Sequence, residues 1–350
     1  MFSTYKPEDV TILLKDISGL VQPLPTAERE ALIQQGVHYS EMLPLEMQPS
    51  PAYLEAFFKA LELYAPLTAE AVAVVAEKLL AAKGPEVVLV SLARAGTPIG
   101  ILLKLYLKRR FGISVSHYTI SIIRGRGIDK KAMAYILERH QPQHLQFVDG
   151  WTGKGAIQRE LAAAMAEFPQ VSPGLAVLSD PAGLAAEYGT RGDFLIASSC
   201  LNSTVSGLLS RTFYRKDIIG PDDFHGAAFY ADLQEQDLTY HFIDSVAAHF
   251  PVEKPKIQEP PEAICSAAAE VQGICRDFDI ADINLVKPGI GEATRVLLRR
   301  LPWKILVHSL NDEEHLGHLY QLAREKNVQL QVYPLQNYRA CGLIQNLADS

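Results

Sequence analysis

Short apolar runs alternate with helical patterns from residue 87 to residue 196, and this alternation constrains the fold more than any other feature of the chain. Apolar runs at 87–90, 115–122, 145–148, 175–178 and 194–196 read as buried strands. Between them, 98–110, 130–140 and 156–168 repeat apolar residues at helical spacing. Strand–helix–strand units of this kind build a parallel sheet flanked by helices, with ligands held beyond the carboxyl ends of the strands. Ahead of the sheet, 53–64 and 68–82 predict two helices. Residues 1–50 are punctuated by proline and offer one short strand, 10–14.

The loop after the third run is the most specific. Asp149-Gly150-Trp151-Thr152-Gly153-Lys154-Gly155 joins a buried strand to a helix. A glycine-containing loop at a helix start exposes backbone N–H groups at the positive end of the helix dipole, which favours a phosphate. A carboxylate just ahead of it, Asp149, is placed to accept hydrogen bonds from sugar hydroxyls. The loop is neither a Walker A motif nor a dinucleotide fingerprint, because the required glycine spacings are absent. The plain alternative is an ordinary turn with Thr152 as helix cap.

Other loops at the same edge carry cations. Arg94, Ala95 and Gly96 precede a helix, with Gly96 permitting close backbone approach and Arg94 suited to phosphate oxygens. Arg124 and Arg126 alternate with Gly125 and Gly127, as in mobile loops that close over a reacting centre. Asp129 reads as the cap of the next helix. Residues 198–211 are rich in hydroxyls: Asn202, Ser203 and Thr204 suit a base-like acceptor and Arg211 a further anionic group, or the segment is a self-satisfied turn. Cys200 lies in the same stretch. It qualifies as a peptidase nucleophile only with a nearby base and a lowered pKa, and no local cysteine-protease signature surrounds it.

Composition excludes other classes. With 48% hydrophobic and 21% charged residues the chain is an ordinary globular protein, and its net charge of −7 argues against a nonspecific nucleic-acid coat. Residues 1–19 lack a signal-peptide pattern and no apolar run reaches membrane-span length, so a cytoplasmic protein with no membrane partner is expected. Four cysteines without a Cys-x-x-Cys pair offer no metal site and suit a reducing compartment.

The proline-rich stretch 251–261 marks a boundary. It separates an extension at 1–50 and a main domain at 51–250 from a small α/β domain at 262–350. Helices are predicted there at 262–278, 292–300 and 313–326, with strands at 283–286, 304–308 and 329–333. That domain holds nine Lys and Arg against eleven Asp and Glu, so any nucleic-acid surface must be local. Lys287, Arg295 and Arg299 form such a patch, and a solvated helix face is the bland alternative.

Three blocks carry a family resemblance: 149–155, Arg124-Gly125-Arg126-Gly127-Ile128-Asp129, and Leu201-Asn202-Ser203-Thr204-Val205-Ser206-Gly207. Together they resemble the StiP-type phosphoribosyltransferase-like family of bacterial tellurite-resistance and stress operons, some of whose members are described as cysteine proteases. Asp149 and the following Thr-Gly are similar to the phosphoribosyl-diphosphate loop of type I phosphoribosyltransferases. Gly150 replaces that loop's second acidic residue, and the spacer is shortened. The resemblance implies transfer of phosphoribose to a base-like acceptor, with release of pyrophosphate and help from Mg²⁺. Asp149 and Gly150 with Thr152, Gly153, Lys154 and Gly155 would then hold the phosphorylated ribose. Arg94, Ala95, Gly96, Arg124 and Arg126 would attend the leaving group. Gly289-Ile290-Gly291-Glu292-Ala293-Thr294-Arg295 resembles the Gly-x-Asn-Glu-x-x-Lys block of Pelota-type RNA-binding domains, with Gly291 where those have Asn. It implies structured RNA as a partner, through Lys287, Gly289, Glu292, Arg295 and Arg299. Two further readings stand beside the transferase: a nucleotide- and RNA-binding protein without turnover, and a cysteine peptidase using Cys200. The acceptor and the oligomeric state, a homodimer included, are left open.

Overall fold

The computed structural model describes residues 2–46, 48–257, 259 and 265–345. Six parallel strands form the main sheet in the order Thr11–Ile12, His117–Ile120, Val88–Leu92, Leu145–Val148, Leu175–Ser179 and Glu187–Thr190. Four of these strands, His117–Ile120, Val88–Leu92, Leu145–Val148 and Leu175–Ser179, are buried along their whole length. This explains why they read as continuous apolar runs rather than alternations. The predicted α/β class, a parallel sheet flanked by helices with a small α/β domain after it, is the one observed.

The two helices expected ahead of the sheet are one. Pro51–Lys83 runs unbroken past Pro66, starting where the Ser50 side chain accepts the Tyr53 N–H and ending at Gly84 with φ 72°. Pro66 supplies no N–H, a loss that normally ends a helix. Here burial overrides it: Ala69, Ala71, Val72, Ala73, Val75, Ala76 and Leu79 are all fully enclosed just beyond the proline. The helix lies on the edge strand Glu187–Thr190, where a side chain on Gly189 would sit 2.7 Å from both the Ala71 methyl and the Leu178 carbonyl oxygen.

That edge strand was not legible, and the strand expected at 194–196 does not form. Phe194, Leu195 and Ile196 are core residues on an irregular connection leading into the 3₁₀ turn Ala197–Ser199. An apolar run reports burial, and only pairing makes it a strand.

The C-terminal unit is a four-stranded sheet in the order Val286–Pro288, Ala340–Ile344, Pro302–Val307 and Gln329–Val332. Helices Ala267–Asp277, Ile290–Arg299 and Glu313–Glu325 complete it. The strand expected at 283–286 is a 3₁₀ turn, Ile283–Leu285, with pairing only from Val286 onward. The start of the first helix, expected from residue 262, lies outside the described residues, as do residues 258, 260 and 261 of the proline-rich stretch. The central strand Ala340–Ile344 gave no sequence signal. Its Gly342 lets the helix Ile290–Arg299 approach, since a side chain there would stand 2.8–2.9 Å from the Val296 side chain.

The two units share one core. Ile290, Ala293, Val296 and Leu316 pack in the same apolar cluster as Phe194, Leu195, Ala69 and Val72. At its centre the buried carboxylate of Asp193 accepts hydrogen bonds from the Ile290 N–H at 3.1 Å and the Arg339 N–H at 2.9 Å. It thereby supplies an anion to the first turn of the helix Ile290–Arg299. Burial raises the Asp193 pKa to about 6 against the lowering effect of these donors. Asp193→Ala leaves both N–H groups without an acceptor, at about 1–3 kcal/mol for each. Urea unfolding should show a lower midpoint, and limited proteolysis faster cleavage around 251–257. Asp193→Asn, which keeps one acceptor oxygen, should fall between.

Candidate functional site

The loops at 94–96, 124–127 and 149–155 follow the strands Val88–Leu92, His117–Ile120 and Leu145–Val148 and so lie at the carboxyl edge of the main sheet. At Gly96 an added side chain would strike the Val148 carbonyl oxygen, so the first turn of helix Gly96–Phe111 is pressed against the strand that carries Asp149. The same close approach explains why glycine stands there without invoking a ligand. Arg94, on the cis peptide that follows Ala93, is nearly enclosed. It donates to the Leu209 carbonyl at 2.7 Å and pairs with Glu46 at 3.4 Å. Gly150 is buried facing Ile196, where an acidic side chain would meet hydrocarbon.

The loop 152–155 is held by protein groups. The Thr152 hydroxyl donates to Asp180 at 2.5 Å, and the Gly153 carbonyl accepts the Tyr338 hydroxyl at 2.9 Å. The Lys154 ammonium donates to the carbonyls of Ile283 and Val286, and burial brings its pKa down to about 8. Gly155 adopts φ 75° beneath Leu184. Lys154 and Gly153 thus dock the C-terminal domain. The glycine-rich loop at 124–127 is likewise pinned. The Glu160 carboxylate accepts the N–H groups of Gly125 and Gly127 at 2.8 and 3.0 Å, Arg126 pairs with Glu41, and Arg124 donates to Asn284 at 2.9 Å. Asp129 is the helix cap expected, accepting the Ala132 N–H at 3.0 Å and also the His225 N–H at 2.6 Å.

A small cavity of about 140 Å³ lies on the loop 152–155 itself, lined also by Arg124, Asp149, Lys287 and Arg295. Two others bear on the remaining predicted residues. One, about 310 Å³, lies between the domains and is lined by Arg29, Arg94, Arg211, Lys287, Arg295 and Arg300 with Asp149 and Glu292. The other, about 240 Å³, is lined by Tyr53, Cys200, Asn202, Ser203 and Thr204 with Glu46. Arg29 and Pro44 line both. The residues grouped in the sequence as an acceptor site are therefore divided, Asn202, Ser203 and Thr204 to one cavity and Arg211 to the other. Arg29, Tyr39 and Glu46 were missed. They come from the irregular first fifty residues, where a buried charged residue on a weakly patterned helix leaves no signal. Arg300, also missed, pairs with Glu30.

Cys200 is fully buried. Burial raises its thiol pKa to about 12, and its carbonyl accepts the Tyr53 hydroxyl at 3.0 Å. Neither His117 nor His225, the buried histidines of the main domain, bonds to it. His117 bonds Ser91 at 2.8 Å and the Asp9 carbonyl at 2.9 Å, with burial depressing its pKa to about 3. His225 bonds Ser121 at 2.9 Å. The buried side-chain oxygens Asn202 Oδ1 and Ser203 Oγ have no hydrogen-bond partner.

Of the residues assigned to RNA contact, Lys287, Gly289, Glu292 and Arg295 face the main domain. Arg295 pairs with Glu292 at 3.2 Å and lies 4.4 Å from the Trp151 ring centre. Gly289 turns at φ 97° next to Asp193, and Lys287 lines the interdomain cavity. A side chain on Gly291 would come within 3.0 Å of the Trp151 ring, which accounts for glycine where the Pelota-type pattern has asparagine. Arg299 is in the helix Ile290–Arg299, and its side chain lies outside the described residues.

An α/β parallel-sheet domain fused to a small Pelota-like domain is the class of protein this geometry defines. Residues 3–247 match the family described as "Tellurite-like stress resistance cysteine protease StiP", and residues 265–346 match the PELOTA RNA binding domain. The chain belongs to the StiP family. An Acinetobacter baylyi protein named "Cysteine protease StiP" is 36% identical over 368 aligned residues, covering 98% of this chain and 94% of that protein. A crystal structure of a hypoxanthine-guanine phosphoribosyltransferase from Bacillus anthracis aligns with TM-score 0.26 and 15% identity. It covers 35% of this chain and 75% of that one, too little to carry an argument about activity. The expected phosphoribosyl transfer is overturned by these findings, since both the family and the relative are named for proteolysis. Among the described residues no helix is long and apolar enough to cross a membrane.

Burial raises the Asp149 pKa to about 6, against the lowering effect of the Gly150 N–H and of Arg295. The folded state therefore holds this proton more tightly than the unfolded chain. The associated stability is present below about pH 4 and is lost as pH rises through 6. Asp149→Asn should raise the denaturation midpoint at pH 8, on the order of 1–2 kcal/mol after allowing for water in the cavity. Below pH 4 it should match the parent, as parallel urea titrations would test.

Proposed function

We propose that the chain is a cysteine peptidase of the stress-response type for which its family and relative are named, with Cys200 as nucleophile. The observation that carries this reading is the position of Cys200 on the wall of a cleft whose Asn202 and Ser203 oxygens have no partner. Buried polar groups are almost always hydrogen-bonded, so these two suit the amide hydrogens of a peptide once the cleft opens to admit it, the same opening that the buried thiol requires. In the reaction the Cys200 sulfur attacks the peptide carbonyl carbon and the C–N bond breaks. The amine leaves with the thiol proton, and water hydrolyses the thioester to restore the thiol. The thiol is protonated in the resting protein, so its activation accompanies substrate entry.

The test is cleavage of fluorescent casein by the full chain. Cys200→Ser should lower the rate by more than about a hundredfold, in line with loss of a covalent nucleophile. Iodoacetamide labelling of Cys200, followed by mass spectrometry, should be slow at pH 7 and still rising at pH 9, because the thiol titrates near 12. Cleavage unchanged in Cys200→Ser, or no cleavage by the parent, overturns the reading.

RNA binding by the C-terminal domain is supported by the match over residues 265–346. Because Arg295 and Lys287 face the main domain, loosening the domain contact should expose them. Asp193→Ala should bind a structured RNA hairpin more tightly than the parent, with a steeper fall in affinity as salt is raised. Equal affinities and equal salt slopes would place any RNA surface elsewhere on the domain.

A further inference from the structure

The cavity between the domains holds more positive charge than the protein neutralises. Of its six cations, three are matched: Arg94 by Glu46 at 3.4 Å, Arg295 by Glu292 at 3.2 Å, and Arg300 by Glu30 through two bonds of 2.7 and 2.8 Å. The other three, Arg29, Arg211 and Lys287, make no ion pair among the described residues. The carboxylate left facing them is Asp149.

Arg29 is 5% exposed and its Nε has no hydrogen-bond partner. Arg211 lies over the Tyr39 ring at 4.3 Å. Burial, together with the neighbouring Arg29, Arg94 and Arg300 charges, lowers the Arg211 pKa to about 9. An uncompensated buried cation costs several kcal/mol, and several facing one space repel one another as well. The arrangement is stable only to the extent that an anion shares it. Two guanidinium forks and an ammonium lining one cavity match the oxygens of a phosphate group.

We infer that the interdomain cavity binds a terminal phosphate monoester, held by Arg29, Arg211 and Lys287. The site adjoins the cleft of Cys200, with Arg29 in the wall of both, and requires no chemistry there. It is completed by Lys287 from the C-terminal domain, so phosphate binding and domain docking are coupled. The phosphate has two available sources, a free mononucleotide or the phosphorylated end of an RNA.

The experiment follows thermal unfolding and equilibrium binding of the full chain. Its probes are inorganic phosphate, adenosine 5′-monophosphate, adenosine, and a short RNA with a 5′-phosphate or a 5′-hydroxyl. Sodium chloride at matched ionic strength is the control. Phosphate should raise the Tm saturably, and each phosphorylated probe that binds should outcompete its dephosphorylated partner. Tight binding of adenosine 5′-monophosphate identifies a nucleotide site, and binding of the 5′-phosphorylated RNA alone identifies an RNA end. Arg211→Met should weaken phosphate binding by about tenfold or more, as expected for loss of a charge-assisted bidentate contact. Without phosphate it should melt higher than the parent, because an unmatched buried charge is gone. Arg211→Lys keeps the charge and should bind with intermediate affinity, which guards against a misfolded Met variant. Stabilisation of the parent no greater than that by chloride, or equal phosphate affinity in parent and both variants, overturns the inference. Every readout is binding, so the result is independent of whether Cys200 cleaves peptides.

Discussion

The carboxylate of Asp193 is the contact on which the rest of the arrangement depends. It belongs to the main domain yet accepts the N–H groups of Ile290 and Arg339, and so fixes where the C-terminal helix begins relative to the main sheet. Around it Trp151 receives Gly291 and Arg295, Lys154 reaches the carbonyls of Ile283 and Val286, and Tyr338 reaches the Gly153 carbonyl. A carboxylate this deep favours its neutral form, and only the dense set of donors offsets part of that cost.

Docking changes what the sheet-edge loops can do. The Thr-Gly-Lys-Gly loop has the residue types of a phosphate cradle, but its lysine and one of its carbonyls are consumed by the second domain. The glycine-rich loop at 124–127 has the composition of a mobile flap, but Glu160, Glu41 and Asn284 hold it in place. The unmatched positive charge collects one layer further out, where Arg29, Arg211 and Lys287 converge from three separate parts of the chain. Beside it the Cys200 cleft is less charged, with a thiol that burial keeps protonated.

Much of the fold was legible because buried parallel strands are continuous apolar runs. The strand Leu145–Val148 and the helices Gly96–Phe111 and Lys130–Leu137 fall where periodicity placed them, to within a few residues. The failures have physical causes. The patterns 53–64 and 68–82 predict two helices, yet the packed face beyond Pro66 holds one helix together. Phe194–Ile196 has the apolar character of a strand, which burial without pairing also produces. Ala340–Ile344 was missed because Gly342 and Cys341 carry no strand signature, although the strand is central to its sheet. Within the site, Asp149, Arg94 and Arg211 were found because each sits in a motif-like loop. Arg29 and Asp193 were not, because a single charged residue acquires its role only from the groups folded around it.

By itself the sequence determined the α/β class, the loops that gather at the carboxyl edge of the sheet, and the family to which the chain belongs. These follow from local periodicity and from short contiguous blocks of residues. The tertiary structure alone decided which cations lose their counter-ions, which cysteine lines a cleft, and which face of the C-terminal helix is turned inward. Each of those depends on desolvation and on contacts between residues far apart in the chain, such as Arg300 with Glu30, and neither quantity exists until the chain has folded.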